Sequence, residues 1–260
     1  MNLPNYDVRL VAFIDILGFE ALVKSFRREA ELHLRVHQAL MRIKAIDLLS
    51  HNHGTVPYNL EVTVFSDSIV FSCSKDRFDS LIYTCGYLQA DLFFLGILVR
   101  GGISIGNTFH SGGILYGEGM LNAYRIESKA AVYPRIVIDP EISFGISKIY
   151  MERFIERDDD GLLSINAFKF ESVIPDAAEL AAEGYCPRAE YLRNIKEHLE
   201  NGFRSAQAVD QRAKWSWLIR KYNSEVEIYN RTNHCNIDYV TTKTEASQSN
   251  PRILINPKDQ

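Results

Sequence analysis

The sequence predicts an α+β fold, an α/β sandwich in which helices pack on a mostly antiparallel sheet. The near-continuous apolar run of residues 8–17, VRLVAFIDIL, is typical of a central strand covered on both faces. Strands and helices then follow in the order β-α-α-β-β-α-β-β-α-β, which favours a ferredoxin-like arrangement. Hydrophobic residues make up 46% of the chain, enough for a substantial core.

The elements of the first half follow from periodicity and turn residues. Helical periodicity over residues 20–50 predicts two helices broken near Arg28, followed by a loop. Two β-branched and aromatic runs that meet at Ser66 and Asp67 predict a hairpin. Beyond the hairpin the pattern predicts a helix over residues 76–97 and a second strand pair over 98–110 and 112–117. A further helix over 118–132 and a last strand over 134–139 follow.

The pattern weakens after Pro140. The stretch ERDDDGLLSINAF indicates an acidic turn followed by a strand, and residues 187–230 are mostly helical in pattern. The polar, Pro-containing end of the chain favours a flexible tail. We therefore expect two units, a core over residues 1–140 and a mainly helical extension over residues 141–260 that packs on it.

Composition limits the partners. A net charge of −4 argues against a nucleic acid held by electrostatic attraction. The N-terminal residues lack the basic and apolar segments of a signal peptide, and no apolar run is long enough to cross a bilayer. The four cysteines are scattered without metal-ligand spacing, as in reduced thiols. We expect a cytoplasmic protein with no nucleic-acid or membrane partner.

Two aspartates end predicted strands. Asp15 closes the first strand and Asp67 lies at the hairpin tip, so the two carboxylates meet at one sheet edge if these strands are neighbours. Two close carboxylates either share a proton or hold hard cations such as Mg²⁺ or Mn²⁺. Taken singly, the alternatives are a helix cap for Asp15 and a turn residue for Asp67.

The turn after Asp15 suggests a phosphate site. Gly18 permits close backbone approach, and we expect the amides from Ile16 to Phe19 to open the next helix. Amides at a helix N-terminus bind phosphate through hydrogen bonds and the helix dipole. One short segment would then supply both a metal ligand and a phosphate cradle.

A later helix presents polar donors. Asn122, Arg125 and Lys129 are spaced three or four residues apart, which places them on one helix face. Such a face can bind a triphosphate or stabilise charge developing on it. The alternative is a solvated helix face.

The segments FIDILGF, FSDSIVFS, RGGISIGN and LNAYRIES together resemble the class III nucleotide cyclases, over about residues 8–139. The resemblance implies two Mn²⁺ or Mg²⁺ ions held by Asp15, Asp67 and the Ile16 carbonyl. It also implies catalytic roles for Arg125 and Asn122. The sequence departs from the family at Leu121, where the family has its Asn, and at Thr63, where the family has a purine-selecting Lys.

Within that family the chain looks most like the bacterial pyrimidine cyclases of Pycsar anti-phage systems. That resemblance implies a homodimer with active sites at the interface, which converts UTP to cyclic UMP and pyrophosphate, and a cyclic nucleotide that activates a separate effector protein. The nucleotide would contact Phe13, Leu17, Gly18, Phe19, Tyr58, Arg100 and Lys129.

Alternatives remain at this stage. Arg100 is a candidate to read a pyrimidine carbonyl, but it is equally compatible with a salt bridge at a strand end. Tyr58 is either a base contact or a loop aromatic that covers the core. The chain could make cyclic CMP from CTP, be an adenylate or guanylate cyclase, or be an inactive module that binds a nucleotide.

Overall fold

The computed structural model describes residues 6–52, 59–170, 186–233 and 236–241, with side chains omitted over 44–52. These residues form eight strands: β1 Asp7–Ile16, β2 Glu61–Phe65, β3 Ser68–Ser74, β4 Val99–Ser111, β5 Ile114–Gly117, β6 Ile136–Ile138, β7 Ile155–Arg157 and β8 Leu163–Ile165. The helices are α1 Phe19–Ser25, α2 Ala30–Asn52, α3 Phe78–Phe94, α4 Glu118–Lys129, α5 Lys148–Phe154, α6 Pro187–Ser205 and α7 Val209–Asn233. Within these ranges, none of the helices is long and apolar enough to span a bilayer.

The strands form one sheet in the order β2-β3-β1-β4-β6-β8-β7, and β5 pairs with β4. Strands β4 and β6 run parallel, whereas the other pairs are antiparallel. Strand β1 lies between β3 and β4, as its apolar run predicts. The predicted α+β class and mostly antiparallel sheet are confirmed.

Alternation along β1 divides the core between two faces of the sheet. Even-numbered residues such as Leu10 and Ile14 enter the main core, to which α2, α3, α6 and α7 contribute. Val11 and Phe13 point to the other face, where they pack with Ala123 of α4. Asp15 follows in the same alternation, so its side chain lies on the face that carries α4.

The second half adds strands and helices to the same sheet. The acidic stretch forms the β7–β8 hairpin, whose strand β8 pairs with β6. Buried Arg135 forms ion pairs with Asp158 and Asp160 of that hairpin, and Lys221 of α7 reaches Asp158. The sheet is thus continuous across residue 140. The predicted helical extension is confirmed, and the proposed division into two units stays a prediction.

Most of the predicted elements are present with bounds shifted by a few residues. The predicted loop begins later than expected, because residues 51–52 still belong to α2, and residues 53–58 lie outside the described part. The C-terminal tail from residue 242 onward lies outside it as well. Cys73 and Cys85 are buried thiols, and burial raises the pKa of Cys73 to about 12.

Candidate active site

The sheet brings Asp15 and Asp67 together at one edge. Asp15 lies opposite Ser68, the first residue of β3, and the Ile16 amide donates to the carbonyl oxygen of Asp67 at 2.9 Å. The tip of the β2–β3 hairpin is tight, since Ser66 adopts a left-handed conformation with φ 56°. The condition for this meeting, that the two strands are neighbours, is fulfilled, and the joint role of the two carboxylates stays a prediction.

The surroundings of Asp15 disfavour its charge. Partial burial is the main cause that raises the pKa of Asp15, and the negative charge of Asp67 raises it further. The Arg100 guanidinium opposes both effects by lowering that pKa. A site that leaves two carboxylates short of positive charge is suited to a bound cation.

Arg100 lies between two acidic groups. Its Nε atom is 2.7 Å from Oε1 of Glu127 on α4 and 3.7 Å from Oδ2 of Asp15. The Glu127 side chain is only 3% exposed, and burial raises its pKa while Arg100 lowers it. The contacts of Arg100 are therefore those of a salt bridge, which was the alternative interpretation of this residue. A role in reading the base stays a prediction.

The backbone amides before Gly18 do not have the role that the sequence predicts. Gly18 has φ 73°, a left-handed conformation that favours glycine, and it precedes α1. The Ile16 amide bonds to Asp67, and the Leu17 amide donates to the carbonyl of Leu98 at 2.9 Å. Sheet pairing thus extends through Leu17, and the prediction that these two amides face a phosphate is wrong. Only amides from Gly18 onward can form the cradle.

Helix α4 seats closely on β4 through small residues. A Cβ atom on Gly102 would lie 2.4 Å from the Ala123 carbonyl oxygen and 2.8 Å from the Glu127 nitrogen. The buried residues of α4 are Gly119, Ala123 and Glu127, which are four residues apart on one face. This seating brings Glu127 to Arg100. The spacing of these small residues opposite the glycines of RGGISIG is the sequence signal for Glu127, which sequence reasoning missed.

The polar face of α4 is exposed to solvent. Arg125 and Lys129 are exposed, and Arg125 Nη1 donates to Asn122 Oδ1 at 3.1 Å. Among the described residues, the charged groups that shift the pKa of Asp15 are Asp67 and Arg100. The predicted catalytic role of Arg125 stays a prediction.

Thr63, at the place of the family's Lys, belongs to a buried polar cluster. Its hydroxyl lies 2.9 Å from Nε2 of His110, and the other ring nitrogen lies 2.8 Å from Oγ of Ser72. Burial is the main cause that lowers the pKa of His110 to about 4, and Arg9 adds to it. The imidazole is neutral at pH 7, so these side chains place no cation beside Thr63.

The remaining predicted contacts are apolar. Phe13 is buried and meets Tyr124 edge to face at 5.4 Å between ring centroids, so its side chain supports α4. Phe19 borders an apolar groove of about 620 Å³ between α1, α2 and β2. Leu17 and Gly18 belong to the turn described above, and Tyr58 lies outside the described residues.

The donor set fits Mg²⁺ or Mn²⁺. In the part of the chain that the structure describes, no group of three or more His, Cys, Asp or Glu residues is placed to hold a metal. Two carboxylates and a backbone carbonyl, completed by substrate phosphates, are hard oxygen ligands of the kind that Mg²⁺ uses in nucleotide enzymes. Asp15, Asp67 and the Ile16 carbonyl are the residues that would hold the ions.

The sequence matches no protein-family model and no curated protein. The chain is similar to two solved structures of a bacterial light-regulated adenylyl cyclase, each 16% identical. The first has a TM-score of 0.42, and the match covers 70% of this chain and 59% of that structure's chain. The second has a TM-score of 0.40, and the match covers 69% of this chain and 99% of that structure's chain. The guanylyl cyclase Cya2 is 12% identical, with a TM-score of 0.38 over 62% of this chain and 92% of its own. This chain spans less than two thirds of the first of these structures.

Proposed function

We propose that this protein is a nucleotide cyclase that forms a 3′,5′-cyclic nucleotide and pyrophosphate from a nucleoside triphosphate. The observation that carries the proposal is the pairing of Asp15 and Asp67 at one sheet edge, beside the Gly18 turn. Both aspartates come from segments that resemble the metal-binding segments of class III cyclases. A helix cap or a turn residue would not require the two carboxylates to meet.

The reaction is an intramolecular phosphoryl transfer. The ribose 3′-oxygen attacks the α-phosphorus and loses its proton, and the bond from that phosphorus to the β-phosphate oxygen breaks, which releases pyrophosphate. Bound Mn²⁺ or Mg²⁺ supplies charge neutralisation and lowers the pKa of the attacking hydroxyl. Asp15, Asp67 and the Ile16 carbonyl hold the ions, and the backbone from Gly18 onward orients the phosphates.

Arg125 acts across a homodimer interface in this proposal. It is exposed on α4, and the resemblance implies that it reaches the phosphates bound by a second copy of the chain. Leu121 and Tyr124 on the same helix are about half exposed, and Phe65 at the hairpin tip is 77% exposed. Apolar side chains around a catalytic Arg are suited to burial against a partner subunit. Asn122 orients Arg125 through its amide oxygen, and Lys129 adds positive charge to the same face.

The proposed substrate is UTP, with CTP as the alternative outcome. Thr63 stands where the family has a purine-selecting Lys, and its hydroxyl contacts the neutral His110 imidazole, so a purine loses the Lys contact. The cation of this cluster is Arg9, whose Nε donates to Ser72 Oγ at 2.9 Å. Arg100 offers only donors, which suit a pyrimidine carbonyl better than an amino group. Because Arg100 also contacts Glu127, a contact with the base would use the remaining guanidinium nitrogens.

The product is proposed to be a signal. The resemblance to Pycsar cyclases implies that a cytoplasmic homodimer makes the cyclic nucleotide during phage infection and that a separate effector protein responds to it. A pyrimidine product would support this role, and a purine product would remove its basis.

Replacement of either carboxylate tests the proposed site. Asp15→Asn and Asp67→Asn each keep the side-chain shape, and we expect each to reduce cyclic nucleotide formation by at least about 100-fold. The melting temperature of Asp15→Asn should not fall, because the fold holds the Asp15 charge at a cost. Asp76→Asn changes an exposed carboxylate just beyond the C-terminal end of β3, at the opposite end of that strand from Asp67. It is the control and should keep full activity. Near-normal activity in Asp15→Asn or Asp67→Asn would contradict the proposal.

A further inference from the structure

Glu127 is a buried carboxylate to which the proposed mechanism gives no role. It lies on the face of α4 that packs on β4, and its side chain is 3% exposed. Its partner is Arg100, whose Nε atom is 2.7 Å from Glu127 Oε1. The same guanidinium nitrogen is 3.7 Å from Oδ2 of Asp15. One arginine thus stands between a predicted metal ligand and a second, deeper carboxylate.

We propose that Glu127 is a positioning residue that shares the Arg100 guanidinium with Asp15, so that Asp15 is less tightly paired and stays open for a divalent ion. The inference rests on the proposed function, because it takes Asp15 to be a metal ligand. It assigns Glu127 no contact with the substrate or the metal.

Arg100 is shared between the two carboxylates. The Glu127 ion pair is the shorter one, 2.7 Å against 3.7 Å, but its angles are not those of a hydrogen bond, whereas Arg100 lowers the pKa of Asp15 partly through a side-chain hydrogen bond. An arginine and a metal ion compete for the same carboxylate oxygens, since both need their lone pairs. Without the Glu127 charge, Asp15 would be the nearest acidic partner of Arg100 among the described residues, and the ion would have to displace it.

The backbone makes this arrangement specific. Gly102 lets α4 approach β4 until a Cβ there would be 2.8 Å from the Glu127 nitrogen, so Glu127 is held at a fixed distance from Arg100. Arg100 and Asp15 face each other across the β1–β4 pair. Glu127 and Asp15 therefore compete for the same Arg100 guanidinium.

Mn²⁺ binding tests the proposal without any nucleotide. The full chain is titrated with Mn²⁺ alone and the free-ion EPR signal gives the dissociation constant, with Asp15→Asn identifying the relevant site. We expect Glu127→Gln to weaken binding about tenfold, because Arg100 then pairs with Asp15 alone and the ion must displace that stronger ion pair. The double variant Arg100→Gln/Glu127→Gln should bind as the unmodified chain does. Glu118→Gln, at an exposed position on the same helix, is the matched control and should show no change.

The outcomes separate the two proposals. If the unmodified chain and Asp15→Asn bind Mn²⁺ equally, Asp15 is no ligand, and the proposed metal site fails together with this inference. If binding depends on Asp15 but Glu127→Gln binds normally, the inference alone is overturned. Should Glu127→Gln not fold, the double variant is compared with Arg100→Gln. Equal affinities support the proposal, and a tenfold weaker double variant shows a direct role for Glu127 and overturns it.

Discussion

Substitution of Gly102 by alanine tests how α4 is seated. The added Cβ would lie 2.4 Å from the Ala123 carbonyl oxygen and 2.7 Å from Ile126 Cβ. The first contact is about 1 Å shorter than ordinary van der Waals separation, so helix and strand must move apart by about that distance. Overpacking of this kind costs about 1–3 kcal/mol of unfolding free energy. Since α4 carries Arg125 and Glu127, a 1 Å displacement can lower activity about 100-fold.

The assay pairs urea unfolding with pyrophosphate release from UTP and Mn²⁺. Gly112→Ala is the control, since its Cβ meets nothing within 4 Å and its φ of 59° adds backbone strain alone. That strain costs about 1–2 kcal/mol without moving α4, so activity should persist in the folded fraction. Unchanged stability and activity in Gly102→Ala would refute the seating of α4. Equal loss of activity in Gly112→Ala would show that stability alone explains the effect.

Three further predictions concern assembly, pH and the C-terminal half. An Asp15→Asn chain mixed with an Arg125→Ala chain should regain activity in mixed dimers, and no recovery in verified mixed dimers would place Arg125 within its own chain. The pKa of His110 falls from 6.5 to about 4 on folding, so the unfolded chain binds more protons and stability should drop as pH falls through that window. An unchanged pH profile in His110→Gln would contradict this. Asp158→Asn removes the buried one of the two carboxylates that pair with Arg135 and should cost about 3 kcal/mol in urea unfolding, whereas a loss below about 1 kcal/mol would contradict the ion network.

The elements that sequence predicted well carry strong local signals. The run around β1 has the composition of a strand covered on both faces, and two β-branched runs joined at Ser66 and Asp67 have the pattern of a hairpin. Because β1 and β3 are neighbours, these local signals also place Asp15 near Asp67. The proximity of these two aspartates could therefore be predicted from the sequence.

The features that sequence missed depend on pairing between distant segments. The Ile16 and Leu17 amides donate to the carbonyl oxygens of Asp67 and Leu98. The residues of the turn do not determine how far the strands pair. Glu127 has the sequence environment of an exposed helix residue, yet the glycines of β4 let its helix bury it. In the same way, the match of Arg135 with Asp158 and Asp160 depends on how β8 joins β6.

Product analysis tests the proposal that this protein cyclises a nucleoside triphosphate and prefers UTP. The direct measurement incubates the purified chain with equal amounts of ATP, GTP, CTP and UTP and Mn²⁺, and identifies products by mass spectrometry, with Asp15→Asn as the blank. We expect cyclic UMP as the main product, together with pyrophosphate. Mainly cyclic CMP would refute the choice of base, and mainly cyclic AMP or cyclic GMP would refute the pyrimidine assignment. If a folded, dimeric protein forms no cyclic nucleotide beyond the blank, the proposed function itself is contradicted.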